Sequence, residues 1–475
     1  MEGFVSCVTL TWRPFNNTIK HLMTSALILL WSGFFLLLFI GKSRQGRWLS
    51  PTVPVSLWWA IWLTISATIT WDMYPPSIFA VYIVAIFVLS FFFGGILPNP
   101  DRILKSKRLV GGLVLSAPNF KRSIDAVFFV GLVAQIPVVI YLNYKSMQFF
   151  GTYLGGDIRA SAIGFFGTGE DPIFGSSFIK NLYDLATSGF NFLTIGPAIY
   201  ALFHRNKVWP LMLVLVVVLG NQMVTFGRAN IYFTAIGLVC ASLLLVDQTS
   251  WRRLLPKLSF VFIIVLAVAS IYAAYSFSKR EGEKRDERDF FVQYVDYHLL
   301  GFTLFSLEVE EPDSLTNKGL GFGIASTNGL QKIAGFMIRR IIPNWFHPGA
   351  DFEYVNQSFR EVGARDSKPM YYNAYYTIIH PLYYDGRLPL VVLFGALSGW
   401  LLNFSYNVYF FRRDCLSASV WIGVLLLGFY SLHHPPTERL ATFTWIILIL
   451  ALSFRLTSDI LQKVFAWVPK RFQIF

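Results

Sequence analysis

Apolar residues in this chain gather into long runs separated by short polar connectors. The runs lie near 22–41, 54–72, 77–97, 124–143, 187–204, 208–226, 229–246, 257–275, 387–409, 416–432 and 438–455. A helix of about twenty apolar residues matches the hydrocarbon thickness of a bilayer. The pattern therefore predicts an all-α, polytopic integral membrane protein with about 11 transmembrane helices, in a range of 10–12. Pro137 and Pro197 fall inside two runs, where packed neighbours can satisfy the carbonyl that a proline frees. The alternation breaks once, over a long, mostly polar and aromatic-rich insertion. The chain thus divides into an N-terminal bundle over 1–275, a large loop with amphipathic segments over 276–386, and a C-terminal bundle and tail over 387–475. Within the loop, Phe290–Leu307 is apolar but holds Asp296 and His298. A further span or a re-entrant segment there would alter the count.

Composition supports lipid as the main solvent. The chain is 55% hydrophobic and 14% charged, whereas a soluble domain carries about 25% charged residues. The first run, Leu22–Ile40, is too long for a signal-peptide core and reads as a retained span. Cys7, Cys240 and Cys415 suit neither a disulfide framework nor a metal-ligand spacing.

The net charge of +13 changes the picture only through its distribution. One alternating set of connectors holds Lys42, Arg44, Arg47, Arg102, Lys105, Lys107, Arg108, Arg205, Lys207, Arg252, Arg253, Arg412 and Arg413. The other set is poor in base. The rich set is expected in the cytoplasm, which puts 276–386 on the outer face. A basic edge of this kind accounts for the charge without a nucleic-acid partner.

Carboxylates are almost missing from the apolar runs, which argues against an ion-coupled transporter. Polar chemistry collects instead at the outer edge. Arg228 sits in the turn Thr225-Phe-Gly-Arg-Ala-Asn230, where a guanidinium offers a fork for phosphate oxygens or snorkels to lipid headgroups. Arg339, Arg340, Arg360 and Arg365 form a basic stretch of the loop. They either hold a leaving diphosphate without metal or pair with Glu361, Asp366 or Asp351. No Asp-x-Asp metal motif occurs in the outer loops, and neither a metal nor a cofactor is expected. His380 and Asp385 are the candidate bases for a sugar hydroxyl, against a plainer reading as a helix-end histidine and a turn aspartate. Tyr372, Tyr375 and Tyr376 are placed to stack on sugar rings or to serve as an interfacial aromatic belt. Gly319-Leu-Gly-Phe-Gly323 reads as a flexible loop, without the strand and helix of a nucleotide fingerprint.

The pattern Asn373-x-Tyr375-x-Thr377 … Tyr384-Asp385-Gly386, running into a span with Gly395 and Gly399, resembles the Wzy-type O-antigen polymerases. So do the step Phe226-Gly227-Arg228 and the layout of many spans with one large outer loop in the C-terminal half. Where family members carry Asp-x-Gly with an aromatic between, this chain reads Asp385-Gly386-Arg387-Leu-Pro389. The resemblance implies a multi-span, GT-C-like, metal-independent inverting glycosyltransferase of the bacterial inner membrane, active on the periplasmic face. It would transfer a glycan from undecaprenyl diphosphate to the non-reducing end of a lipid-linked repeat unit. Its partners would be that undecaprenyl-diphosphate-linked oligosaccharide and the lipid bilayer, with a chain-length regulator as a further partner to be sought. Arg228, Arg339, Arg360 and Arg365, with Arg340 beside them, would hold the diphosphate. His380, or else Asp385, would take the proton. The alternatives are an O-antigen ligase, which uses the same donor, and a transporter or flippase for lipid-linked sugar.

Overall fold

A computed structural model describes residues 17–69, 72–97, 118–152, 173–175, 183, 189–225, 229–245, 256, 259, 263, 290–338, 341–342, 348–349, 352, 358–365, 367–372, 376–436 and 440–453. The protein is mostly helical. Helices α1 (Asn17–Gln45), α2 (Thr52–Thr68), α3 (Ile78–Ile96), α4 (Pro118–Thr152), α5 (Gly189–Arg205), α6 (Trp209–Thr225) and α7 (Ala229–Leu245) make up the first part. Helices α8 (Phe290–Glu310), α9 (Leu315–Lys318) and α10 (Asn328–Ile338) precede a hairpin, β1 (Arg360–Arg365) and β2 (Lys368–Tyr372). Helices α11 (Ile379–Arg412), α12 (Cys415–Tyr430) and α13 (Leu440–Ser453) follow. Every predicted run coincides with a helix except 257–275, almost all of which lies outside the described residues. Among the described residues, 4 helices are long and apolar enough to cross a membrane by length and composition: Leu22–Gln45, Ile78–Ile96, Phe128–Gln148 and Ile379–Phe410.

Small residues set the packing of the bundle. At Gly94 an added Cβ would run into the backbone of Ala396, and at Gly399 into the carbonyl of Phe91. The backbones of α3 and α11 therefore lie in contact along a seam whose α11 side is Gly395-x-x-x-Gly399. In lipid, where apolar burial gives no drive for helix association, this closeness supplies the van der Waals contact that does. Gly196 brings α5 equally close to α12. There Ser419 Oγ donates to the carbonyl of Leu193 at 2.6 Å, four residues before Pro197. The freed carbonyl thus finds a partner on the neighbouring helix, as expected for a proline packed inside a span.

The two ends of the bundle differ. At one end Arg47 donates to Asn407 Oδ1 at 3.1 Å and lies over the Tyr406 ring, while Arg412 pairs with Asp414 at 2.8 Å. At the opposite end of α11 a polar platform is assembled from α8, α9, the hairpin and the α2–α3 connector. The hairpin corrects the all-α expectation. Its strands pair antiparallel from Arg360↔Tyr372 to Arg365↔Lys368, with a bulge between Glu361 and Gly363. The bulged strand turns its free edge onto the connector: Tyr74 N–H donates to Val362 O at 2.7 Å, and Ala364 N–H donates to Asp72 O at 3.0 Å. Gly363 has φ 157, and a Cβ there would strike the Asp72 carbonyl. Tyr74 also donates its hydroxyl to Glu361 Oε1 at 2.6 Å. Burial, and then that carboxylate, push the Tyr74 phenol up to about 12, so it stays a donor. Helix α8 is strapped to the same connector by Thr303 Oγ1, which donates to Tyr74 O, and Ser306 Oγ, which accepts from Ser77 N–H. With Asp296 and Glu308 both buried in these contacts, α8 is a beam of the platform and is not among the helices long and apolar enough to span.

Candidate functional site

The platform is built around one buried carboxylate. Glu308, on the last turn of α8, is fully buried and pairs with Arg360 at 2.7 Å. Arg360 reaches a second carboxylate, Glu311, at 2.9 Å. Burial pushes the Glu308 carboxyl above its ordinary range, with Arg360 pulling the other way. Burial also works against the Arg360 charge, yet Glu308 outweighs it and the guanidinium is held above its usual value. Thr316, on α9, donates to Glu308 Oε2 at 3.3 Å and lies 2.9 Å from His380 Nε2. A threonine has one hydroxyl proton. When it goes to Glu308, Nε2 must be the protonated nitrogen of His380, and Nδ1 keeps its lone pair. Nδ1 has no protein partner. The ring itself is fully buried, stacked on Tyr376 at 4.4 Å and against Phe352 at 4.8 Å.

Asp385 does different work. Its carboxylate accepts from Ala325 N–H at 3.1 Å and Ser326 N–H at 2.6 Å. Its own carbonyl, freed by Pro389 four residues on, accepts from Phe322 N–H at 3.2 Å. The next residues break α11: Gly386 is extended, and Arg387 has φ 54 and ψ −155, a conformation that belongs to glycine. The Arg387 guanidinium donates to the carbonyls of Thr316, Asn317 and Gly319, the last at 2.8 Å, and covers the end of α9. Gly319–Gly323, expected as a flexible loop, is therefore held down on Tyr384 and Asp385 from both sides. Asp385→Ala is expected to cost about 1–3 kcal/mol, the usual penalty for buried donors left without an acceptor. Limited proteolysis should then cut first within 319–327. An unchanged cleavage pattern would argue against the clamp.

Not every residue nominated from the sequence keeps its expected role in this geometry. Arg365 ion-pairs with Asp72 and with Asp296, the latter at 3.2 Å. Arg360 and Arg365 each stand between two carboxylates, so neither has surplus positive charge for a diphosphate; both brace the platform. Their partners are not the Glu361, Asp366 and Asp351 weighed from sequence. Asp385 has its carboxylate taken up by backbone amides, which removes it as the base. Tyr376 is a core ring, its hydroxyl 3.4 Å from Glu308 Oε1, and is not placed to stack on a sugar. Tyr372 is half-buried, with its hydroxyl 3.4 Å from Asp296 Oδ2. Arg228, Arg339, Arg340 and Tyr375 lie outside the described residues. His433 stands apart from these groups, edge-on to His298 at 4.4 Å, and its Nδ1 bonds to the Tyr297 carbonyl. No cluster of three or more metal-ligating side chains occurs among the described residues.

Glu308, Thr316 and Arg387 were missed as site residues. Glu308 closes an acidic stretch that reads as a solvated face, and Thr316 has no neighbour in sequence to mark it. Arg387 does carry a signal, since it stands where the compared pattern departs. Comparison with protein-family models, curated proteins and solved structures finds no match to this chain.

Proposed function

We propose that the chain is a polysaccharide polymerase of the Wzy type, with about 11 spans, in the bacterial inner membrane and with its platform in the periplasm. It transfers a glycan from undecaprenyl diphosphate to the non-reducing-end sugar of a lipid-linked repeat unit. The observation that carries this reading is the buried chain Arg360–Glu308–Thr316–His380. It lies at the end of the bundle opposite the basic edge and ends on an imidazole nitrogen with no protein partner. Glu308 fixes Thr316, Thr316 fixes the ring, and the lone pair of Nδ1 is left to accept a proton.

In the reaction the acceptor hydroxyl oxygen bonds to the anomeric carbon as the bond from that carbon to the diphosphate oxygen breaks. The diphosphate leaves with the electron pair, and the hydroxyl proton goes to His380 Nδ1. With Arg360 and Arg365 engaged, the cations for the leaving group are Arg228, Arg339 and Arg340.

A strain lacking the gene tests this directly. It is expected to carry single repeat units on its lipopolysaccharide core, and a His380→Ala chain that accumulates normally in the membrane should fail to restore the polymer ladder. Bare core would identify a ligase instead. A full ladder in the deletion strain would end the proposal.

A further inference from the structure

Asn328 opens α10, a position at which asparagine ordinarily caps its own helix. Here it does not. The residue is fully buried, and neither its Oδ1 nor its Nδ2 has a hydrogen-bond partner in the protein. The groups around it are satisfied among themselves: Gln331 Oε1 accepts from Gly349 N–H at 3.0 Å, and Gln331 Nε2 donates to Ile324 O at 2.7 Å. Gly349 leaves little room on one side, since a Cβ there would lie 3.0 Å from Asn328 Oδ1. An orphaned buried donor and acceptor on one carboxamide is a standing cost that folding alone does not justify.

The neighbourhood ties this amide to His380. Three residues before Asn328, Ala325 is bonded to the Asp385 carboxylate, one turn along α11 from His380. Three residues after Gly349, Phe352 lies against both His380, at 4.8 Å, and Tyr384, at 5.1 Å. The loop 321–328 and the segment around 349–352 therefore bring two fully buried, unpartnered polar groups to the same flank of α11. One is a carboxamide, which offers a donor and an acceptor together. The other is an imidazole nitrogen. A pyranose presents neighbouring hydroxyl or acetamido groups that donate and accept in the same way, and apolar ring faces that suit Phe352.

We propose that Asn328 is the positioning residue for the acceptor sugar. It binds a hydroxyl or acetamido group of the non-reducing-end ring, so that the attacking hydroxyl of that ring meets His380 Nδ1. This rests on the polymerase reading for the identity of the sugar, but not for the existence of the site.

The test uses the full chain, purified in nanodiscs, with Asn328→Leu, which keeps the volume and removes both polar atoms. The probe is oligosaccharide released by mild acid from the surface glycan of the host. The wild-type chain is expected to unfold at a higher temperature with the probe than without it. The variant should start at an equal or higher midpoint, because the orphaned groups are gone, and should bind the probe roughly tenfold or more weakly, one lost hydrogen-bonded contact. Asn328→Gln is expected to recover part of the binding. Unchanged probe binding in Asn328→Leu, or no response of the wild-type chain to the probe, would overturn the assignment. Because binding is read without transfer, a deletion strain that keeps its ladder would remove the polymerase reading and leave this result standing.

Discussion

Gly399→Ala is expected to disrupt the bundle more than any other single-methyl addition in the chain. The new Cβ would enter the carbonyl of Phe91 and crowd the backbone nitrogen of Gly95, and neither can swing aside as a side chain can. Overpacking of a tight contact costs about 1–3 kcal/mol when side chains can adjust, and the loss here should exceed that range because backbone must move. Thermal unfolding in detergent, followed by fluorescence-detected size exclusion, is the measurement. Gly319→Ala is the matched control, since a Cβ at Gly319 meets nothing within 4 Å. Equal midpoints for the two variants would show that the α3–α11 seam is looser than described.

The second large effect is expected at Glu308. Replacing it with alanine leaves Arg360 with only the more exposed Glu311, strips Thr316 of its acceptor and opens a void in the platform. Removing one member of a buried ion pair typically costs about 3–5 kcal/mol, most of it the penalty on the stranded partner. Arg360→Met should cost less. Burial already raises the Glu308 pKa, so without Arg360 the carboxyl can take up a proton and remain a hydrogen-bonding group. The double change Glu308→Leu with Arg360→Met is expected to recover much of the stability lost in Glu308→Ala, because hydrophobic substitutes for buried pairs are often neutral. It should not recover polymer synthesis, since His380 would lose the anchor for its Nε2. Additive stability losses across the cycle would mean that the two residues are not coupled.

The bundle was legible because its cause is local. Apolar runs, the prolines inside them and the glycines of α3 and α11 are all readable one residue at a time, and lipid imposes helices on such runs. The platform was not, because its bonds join distant segments. Arg360 and Arg365 were visible as cations, but the carboxylates that neutralise them sit on α8 and the α2–α3 connector. The hairpin was hidden by a turn at Asp366-Ser367 that lacks the usual glycine, and by strands whose burial comes from docking on Asp72 and Tyr74. Asp385 was noticed for the right place and the wrong reason. Nothing local shows that a carboxylate will be taken up by the amides of Ala325 and Ser326. His380 was legible as a histidine near a helix end, yet its tautomer is set by Thr316 and Glu308, both far away in sequence.

The seam between α3 and α11 also bears on how the protein is made. Ribosomes release the chain from its amino end, so α2 and α3 enter the bilayer long before their main partner exists. Until then the glycine face of α3 touches lipid or translocon, and Asp72 waits for an arginine that has not been synthesised. Maturation is thus a late event, completed when the carboxyl-terminal portion arrives and closes both contacts together. Two separately expressed halves, divided between α7 and α8, retain all the surfaces needed to find one another.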